Sequence, residues 1–299
     1  MMPKVVLIAT CSPCNARCPH CPCTVVPGIR DTADKYFRPE YFKKVVDECA
    51  GKDVHIRLSG YGEPLLHKEL IPMLRYGKEK GCKLSLISNG SLLHTVLKDL
   101  VELELESIEL SIDSHLRDVY EKIRVGLDFG RVIENMIQLV VEKTNKNKKT
   151  AVMVSIIDQP SRNPSIEDSV KFFEKFVDKV LVRKYVTWGV LPTDDVKPGT
   201  TRGACPYPWE RLMLDPAGNF RLCPYDDQKL IPPFGHIKDN TIEEVFNGSR
   251  FEKIRHGHET FCFDNIELCS ECTDWAARSW DHNYRSALKE VSGENHKAA

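Results

Sequence analysis

The sequence predicts an α/β fold: parallel β/α units, closed as a barrel or left as an open sheet, with a small hairpin-and-helix domain after them. Three observations carry this. Short apolar or alternating runs take turns with helical patterns about six times over roughly the first 185 residues. Polar motifs recur directly after the strand-like runs, and the carboxyl ends of parallel strands share one face, where active sites are built. The alternation then stops at a stretch holding Trp188, Gly189, Pro192, Pro198 and Gly199, which reads as a linker. The expected division is a β/α domain over 1–186, a linker over 187–203, a second domain over 204–290 and a frayed polar tail over 291–299.

The strand candidates are Val5 to Ala9, Val54 to Leu58, Lys83 to Ile87, Ile108 to Ile112, Val152 to Ile157 and Val180 to Val182. Between them, a helix starts at Pro39, a favoured first helical position, and aligns Phe42, Val45, Val46 and Cys49 on one face. A second uses Leu93, Val96, Leu97, Leu100 and Val101; a third uses Ile133, Met136, Ile137, Val140 and Val141; a fourth runs from Ile166 to Val177. In the second domain, Leu212 to Leu214 and Phe220 to Leu222 flank Asp215-Pro216-Ala217-Gly218-Asn219 as a hairpin. Helices are expected around Thr241 to Ile254 and after Cys272, and the run Lys143, Lys146, Lys148, Lys149 reads as a solvated loop.

Composition narrows the function. The 299 residues carry 42 Lys+Arg against 43 Asp+Glu, so no global field draws in nucleic acid or an anionic membrane. A hydrophobic fraction of 41% with 28% charged residues is that of a globular chain. No run approaches the ~20 apolar residues of a membrane span. The amino end lacks the pattern of a signal peptide, so a cytoplasmic protein is expected.

The anomaly is 12 cysteines. Cys11, Cys14, Cys18, Cys21 and Cys23 crowd the amino end, and Cys205, Cys223, Cys262, Cys269 and Cys272 lie in the last third. Disulfide frameworks suit small secreted domains, so metal or redox chemistry is the better reading. Cys49 falls on an apolar helix face, and Cys82 precedes a strand; both are expected to be structural. The Cys14–Cys21 run follows the first strand, Gly60-Tyr61-Gly62-Glu63-Pro64 the second and Ser88-Asn89-Gly90 the third. Asp113-Ser114 follows the fourth and Asp158 the fifth. Cys14-x3-Cys18-x2-Cys21 suits zinc with His20 or Cys23 as fourth ligand, or a cubane iron–sulfur cluster with one open iron.

That spacing resembles the signature of the radical S-adenosylmethionine superfamily. The resemblance implies a [4Fe-4S] cluster on Cys14, Cys18 and Cys21 whose open iron is chelated by S-adenosylmethionine, with His20 near the adenine. Gly60-Tyr61-Gly62-Glu63-Pro64 is similar to the glycine–glutamate motif, where Glu63 would accept from the methionine ammonium. Ser88, Asn89 and Asp113 look like the third- and fourth-strand motifs, with Asp113 at the ribose, and Arg124 matches a position that pairs with the carboxylate of S-adenosylmethionine. The implied reaction is hydrogen abstraction from a substrate C–H bond by a 5′-deoxyadenosyl radical.

Cys205, Cys223, Cys269 and Cys272 supply four thiolates, enough for a zinc site or a fully ligated cubane. Their layout resembles the twitch domain, the shorter form of the SPASM type, which carries one auxiliary [4Fe-4S] cluster. The implied fold is then a partial (β/α)6 TIM barrel with a carboxyl-terminal twitch domain. The implied function is two-electron oxidation of a sugar-like or aminocyclitol-like small molecule, fed by a low-potential donor such as flavodoxin or ferredoxin. Arg183, with Lys184 and Tyr185, is a candidate for substrate contact or proton acceptance. The close alternative is a radical epimerase with Cys262 as hydrogen donor, since such architectures include epimerases. Peptide modification is a third option, disfavoured by the lack of an amino-terminal leader-binding domain. A non-catalytic iron–sulfur or zinc module is the reading from another class, and it leaves Glu63 and Arg124 without a purpose. Cys11 and Cys23 are expected to be bystanders, and the spacing of His256 and His258 supports no metal.

Overall fold

The computed structural model describes residues 1–28, 34–187, 203–223, 226, 232–263, 266–270, 272 and 284–292. Most of the expected linker and tail therefore lies outside the described residues. Six strands run parallel in chain order: β1 (Val5–Ile8), β2 (His55–Leu58), β3 (Lys83–Ser88), β4 (Ser107–Ser111), β5 (Ala151–Asp158) and β6 (Lys179–Lys184). Two more extend the sheet past β1. β7 (Arg211–Leu214) pairs parallel with β1 in the register Val5↔Arg211, and β8 (Phe220–Arg221) returns antiparallel to β7. The order β6-β5-β4-β3-β2-β1-β7-β8 leaves β6 and β8 as edges, so the sheet is a partial barrel.

The helices are α1 (Pro22–Val25), α2 (Pro39–Cys49), α3 (Leu70–Glu79), α4 (Leu97–Leu103), α5 (Arg117–Ile123) and α6 (Phe129–Asn145). They continue with α7 (Ile166–Phe173), α8 (Tyr207–Glu210), α9 (Ile242–Phe246), α10 (Ser249–Thr260), α11 (Glu267–Ser270) and α12 (Ser286–Ser292). Helix α2 has Pro39 at its start and buries Phe42, Val45, Val46 and Cys49. Each such side chain contributes roughly 1.5–3 kcal/mol when fully buried, enough to dock a short helix.

Alternation along the strands sorts two environments. Val6, Ile8, Ile56, Leu58, Leu84, Leu86, Ile108 and Leu110 face the helices. On the other face Val5, Leu7, Ala9, Ala151 and Met153 gather with Met213 and with Tyr284 and Ala287 at the carboxyl-terminal helix. That inner face is also polar: His55, Arg57, Ser85, Ser107, Glu109 and Ser155 are all buried there. Glu109 bonds both Arg57 (2.5 Å) and Arg183 (2.7 Å). Burial alone would raise its carboxyl, but the two guanidiniums hold it down at about 2.

Four helical expectations change. α6 buries Val132, Asn135, Met136 and Leu139, leaving Ile137 and Val141 exposed, because apolar residues there continue beyond one stripe. The segment from Leu93 is a 3-10 turn, Leu93–Thr95, before α4. The helix expected from Thr241 to Ile254 is two, α9 and α10, since Asn247-Gly248 interrupts it and a capping box at Thr241 and Glu244 starts the first. α7 stops at Phe173, short of Val177.

Candidate active site

The loop after β1 is tied down before it offers its thiols. Ser12 N–H donates to the Lys35 carbonyl (2.9 Å) and Arg17 N–H to that of Val125 (2.8 Å). Asn15 donates to Ser91 Oγ (2.8 Å) and accepts from the Asn89 side chain (2.9 Å), which fastens the loop to the end of β3.

The segment after β2 docks against it. Cys11 Sγ donates to the Glu63 carbonyl (3.1 Å), and Glu63 N–H donates to that of Pro13 (2.9 Å). A Cβ at Gly62 would overlap the Pro13 carbonyl oxygen and lie 2.6 Å from that of Cys11; one at Gly60, whose φ is +149°, would lie 2.6 Å from Ala9 Cβ. Glycine is required at both positions for the two loops to close. The Glu63 carboxylate accepts from Ser88 Oγ (2.7 Å), Leu65 N–H (3.1 Å) and Asn89 N–H (2.8 Å). Burial raises its pKa, and those three donors work against the rise.

These pieces enclose a cavity of about 240 Å3 lined by Cys14, Cys18, His20, Cys21, Gly60, Gly62, Glu63, Ser88 and Arg124, with Ser111, Ile157 and Tyr185 among the other wall residues. His20 is buried, its Nδ1 has no hydrogen-bond partner, and burial aided by Arg124 lowers its pKa to about 4, so it stands neutral. Burial raises the Cys18 thiol while Arg124 opposes, and Arg124 Nη1 lies 3.9 Å from Cys18 Sγ. Three thiols, a backbone cradle that admits no Cβ, a neutral imidazole with an orphaned nitrogen and a buried carboxylate fit a cluster carrying a nucleoside with an amino-acid arm. Among the described residues, no three potential ligands sit close enough to share one metal ion.

The later thiols form a second group. Burial pushes Cys205 up to about 11, with Cys272 acting in the same sense, and Tyr207 responds to both Cys205 and Cys223. Segments far apart in sequence thus share one neighbourhood. Cys269 is buried, and its carbonyl accepts from Cys272 N–H (3.3 Å).

Three expected residues stand elsewhere. Asp113 is not among the cavity's wall residues: it is fully buried, Oδ2 bonded to Arg124 Nε (2.5 Å) and Oδ1 to Ile157 N–H (2.9 Å), so it holds Arg124 in place. Arg183 lies on the inner barrel face bonded to Glu109, outside the cavity wall. Cys262 is exposed, just past the end of α10, and is absent from the cavity lining.

Several contributors escaped the sequence reading. Asn15 and Cys11 lock the two motif loops, and Tyr61 OH reaches the Asp226 carbonyl (3.3 Å), joining the cavity wall to the segment after β8. His258, whose spacing from His256 supports no metal, is fully buried and accepts from Cys205 N–H (3.3 Å). The advance signal for the inner ion pairs is a polar residue at every second strand position, His55 and Arg57 in β2 and Ser107, Glu109 and Ser111 in β4.

Comparison with known proteins agrees with this arrangement. The Radical SAM superfamily model matches residues 10–173, and the SPASM model, an iron–sulfur cluster-binding domain, matches 205–273. A S-adenosylmethionine-dependent nucleotide dehydratase of a Thermoplasmatales archaeon is 30% identical over 168 residues, 56% of this chain and 55% of that protein. A GTP 3′,8-cyclase of Limosilactobacillus fermentum is 28% identical over 153 residues, 50% of this chain and 45% of that protein. The chain thus spans about half the length of these curated relatives. BtrN in complex with AdoMet and 2-DOIA superposes over 91% of this chain and 94% of its own, with a TM-score of 0.59 at 15% identity. For anSMEcpe with bound AdoMet the figures are 97%, 92%, 0.63 and 17%. At such identities these likenesses show the fold alone. Among the described residues no helix is long and apolar enough to cross a membrane.

Proposed function

The chain belongs to the radical SAM superfamily, with a [4Fe-4S] and S-adenosylmethionine-binding domain followed by a further iron–sulfur cluster-binding domain, and from that premise we propose that it oxidises a small sugar-like or aminocyclitol-like molecule by two electrons. Cys14, Cys18 and Cys21 hold the first cluster; Cys205, Cys223, Cys269 and Cys272 hold the second. When bound, the first cluster and S-adenosylmethionine supply a 5′-deoxyadenosyl radical that takes a hydrogen atom from the substrate.

The chain's own residues bind, orient and shield. Glu63 receives the methionine ammonium, its position fixed by Ser88 and the Asn89 and Leu65 N–H groups. Arg124, braced by Asp113, pairs with the carboxylate, and His20 Nδ1 is left for the adenine. Gly60, Tyr61, Gly62 and Asn89 shape the cradle. Loss of a proton to solvent and of a second electron from the substrate radical completes the oxidation, with Arg183, a cation paired with Glu109 at the inner face, as a candidate substrate contact. The support for oxidation is the second thiol group beside Tyr207 and Arg183, together with the exposure of Cys262, which disfavours the epimerase. A low-potential donor such as flavodoxin or ferredoxin supplies the electron that starts the cycle.

Names of the sequence relatives favour a second substrate class, a nucleotide. Anaerobically reconstituted protein should hold about eight irons, two cubanes, and form 5′-deoxyadenosine with reductant. A panel of aminocyclitols and nucleotides should then raise that yield for one class, with a carbonyl product if the first reading is right. A yield stimulated only by nucleotides, or product carrying solvent deuterium, overturns it.

A further inference from the structure

Tyr207 and Arg211 form a unit beside the second thiol group that the proposed chemistry leaves without a task. Tyr207 follows Cys205 by two residues and starts the short α8; Arg211 opens β7, where its backbone pairs with Val5 of β1. The Arg211 guanidinium lies 4.0 Å over the Tyr207 ring, a stacked geometry that fixes the charge. Tyr207 N–H bonds back to the Cys205 thiol, and Arg211 acts on that same thiol electrostatically. Glu210 also acts on the Cys205 thiol, and its carboxylate pairs with Lys4 at 3.2 Å. On the inner side Arg183 also acts on Tyr207, and its charge is shared with Glu109.

A cluster that accepts an electron gains a negative charge, and a fixed cation close by stabilises the reduced form more than the oxidised one. Net local charge and N–H bonds to sulfur are the protein's means of setting cluster potentials. We propose that Arg211, held in place by its stack on Tyr207, raises the reduction potential of the auxiliary cluster, so that it takes one electron from the substrate radical as that radical releases a proton. This rests on the assignment of Cys205 and Cys223 as ligands.

The test uses full-length protein in which Cys14, Cys18 and Cys21 are all replaced by serine, so that only the second cluster loads, with iron content and an EPR-monitored redox titration as readouts. Arg211→Met should lower the reduced fraction at fixed applied potential at least tenfold, about 59 mV for one electron. Arg211→Lys and Tyr207→Phe should keep most of the potential, since charge or ring remains. Tyr207→Leu, which removes the platform, should reproduce Arg211→Met. Full iron content with an unchanged potential in both Arg211→Met and Tyr207→Leu overturns the proposal while leaving the ligand assignment standing. A triple-serine protein that binds no iron, or one that keeps its about four irons when Cys205→Ser and Cys223→Ser are added, overturns the assignment and the proposal with it.

Discussion

Asp113 and Arg124 form the buried ion pair behind the cavity wall, with Nε 2.5 Å from Oδ2 and both side chains almost wholly out of solvent. The carboxylate's other oxygen holds Ile157 N–H at the end of β5, so one acid joins the ends of two strands to the residue facing Cys18. Asn at this position offers one acceptor and one donor to two donors, and a mismatch follows wherever the amide turns. Breaking one side of a buried pair costs ~3–5 kcal/mol. Asp113→Asn should therefore lower stability by that order in urea titrations and weaken S-adenosylmethionine binding by at least about tenfold. Unaltered affinity in equilibrium dialysis would remove Asp113 and Arg124 from the binding machinery.

Gly62 is where the two motif loops touch, and its hydrogen points at the Pro13 and Cys11 carbonyls. Gly62→Ala cannot be absorbed by a side-chain rotation, because the obstacles are backbone. The variant should fold, since the contact is confined to loops, yet lose the first cluster: iron content should fall by about half, to a single cubane. Gly81→Ala is the control. Gly81 has φ +73° but no atom within 4 Å of its would-be Cβ, so it costs only ~1 kcal/mol of strain and leaves iron unchanged.

Cys262 separates two reactions. Its thiol is exposed beyond α10, with Phe261 in the left-handed region turning the chain there. Cys262→Ala should leave 5′-deoxyadenosine formation and product yield within about twofold of wild type, as surface substitutions generally do. Turnover in deuterated water should put no solvent deuterium at the abstracted position. Deuterium incorporation that vanishes in Cys262→Ala would restore the epimerase.

What could be read in advance follows local chemistry. The four buried positions of α2 and the six parallel strands are set by short-range periodicity, and the Cys14–Cys21 spacing is legible because cluster ligation restricts it. Pairing of β7 with β1 joins residues some two hundred positions apart, and nothing in either four-residue strand encodes its neighbour. Glu109, Arg57 and Arg183 look like surface charge on alternate strand positions; only closure of the sheet turns them inward, where they satisfy one another. Asp113 and Arg124 are each legible as motif residues, but their ion pair joins the end of β4 to the end of α5 and needs the fold to be seen.

His55 contributes one pH dependence. It is buried at the start of β2, with Nε2 2.7 Å from Ser85 Oγ and its ring edge-on to Tyr284 at 5.6 Å. Burial, reinforced by Arg57 and Lys83, lowers its pKa to about 3. Between that value and the ordinary ~6.5 the unfolded chain binds a proton that the folded chain refuses. Stability from this group is therefore complete above pH ~6.5 and is lost as pH falls toward about 3, at up to ~1.4 kcal/mol per pH unit. His55→Gln keeps a hydrogen-bonding amide but cannot titrate, so it should flatten the decline of urea midpoints between pH 7 and 5 by up to one proton's worth. Equal slopes in the two proteins would mean that His55 is protonated in the fold, and that water reaches the base of the barrel.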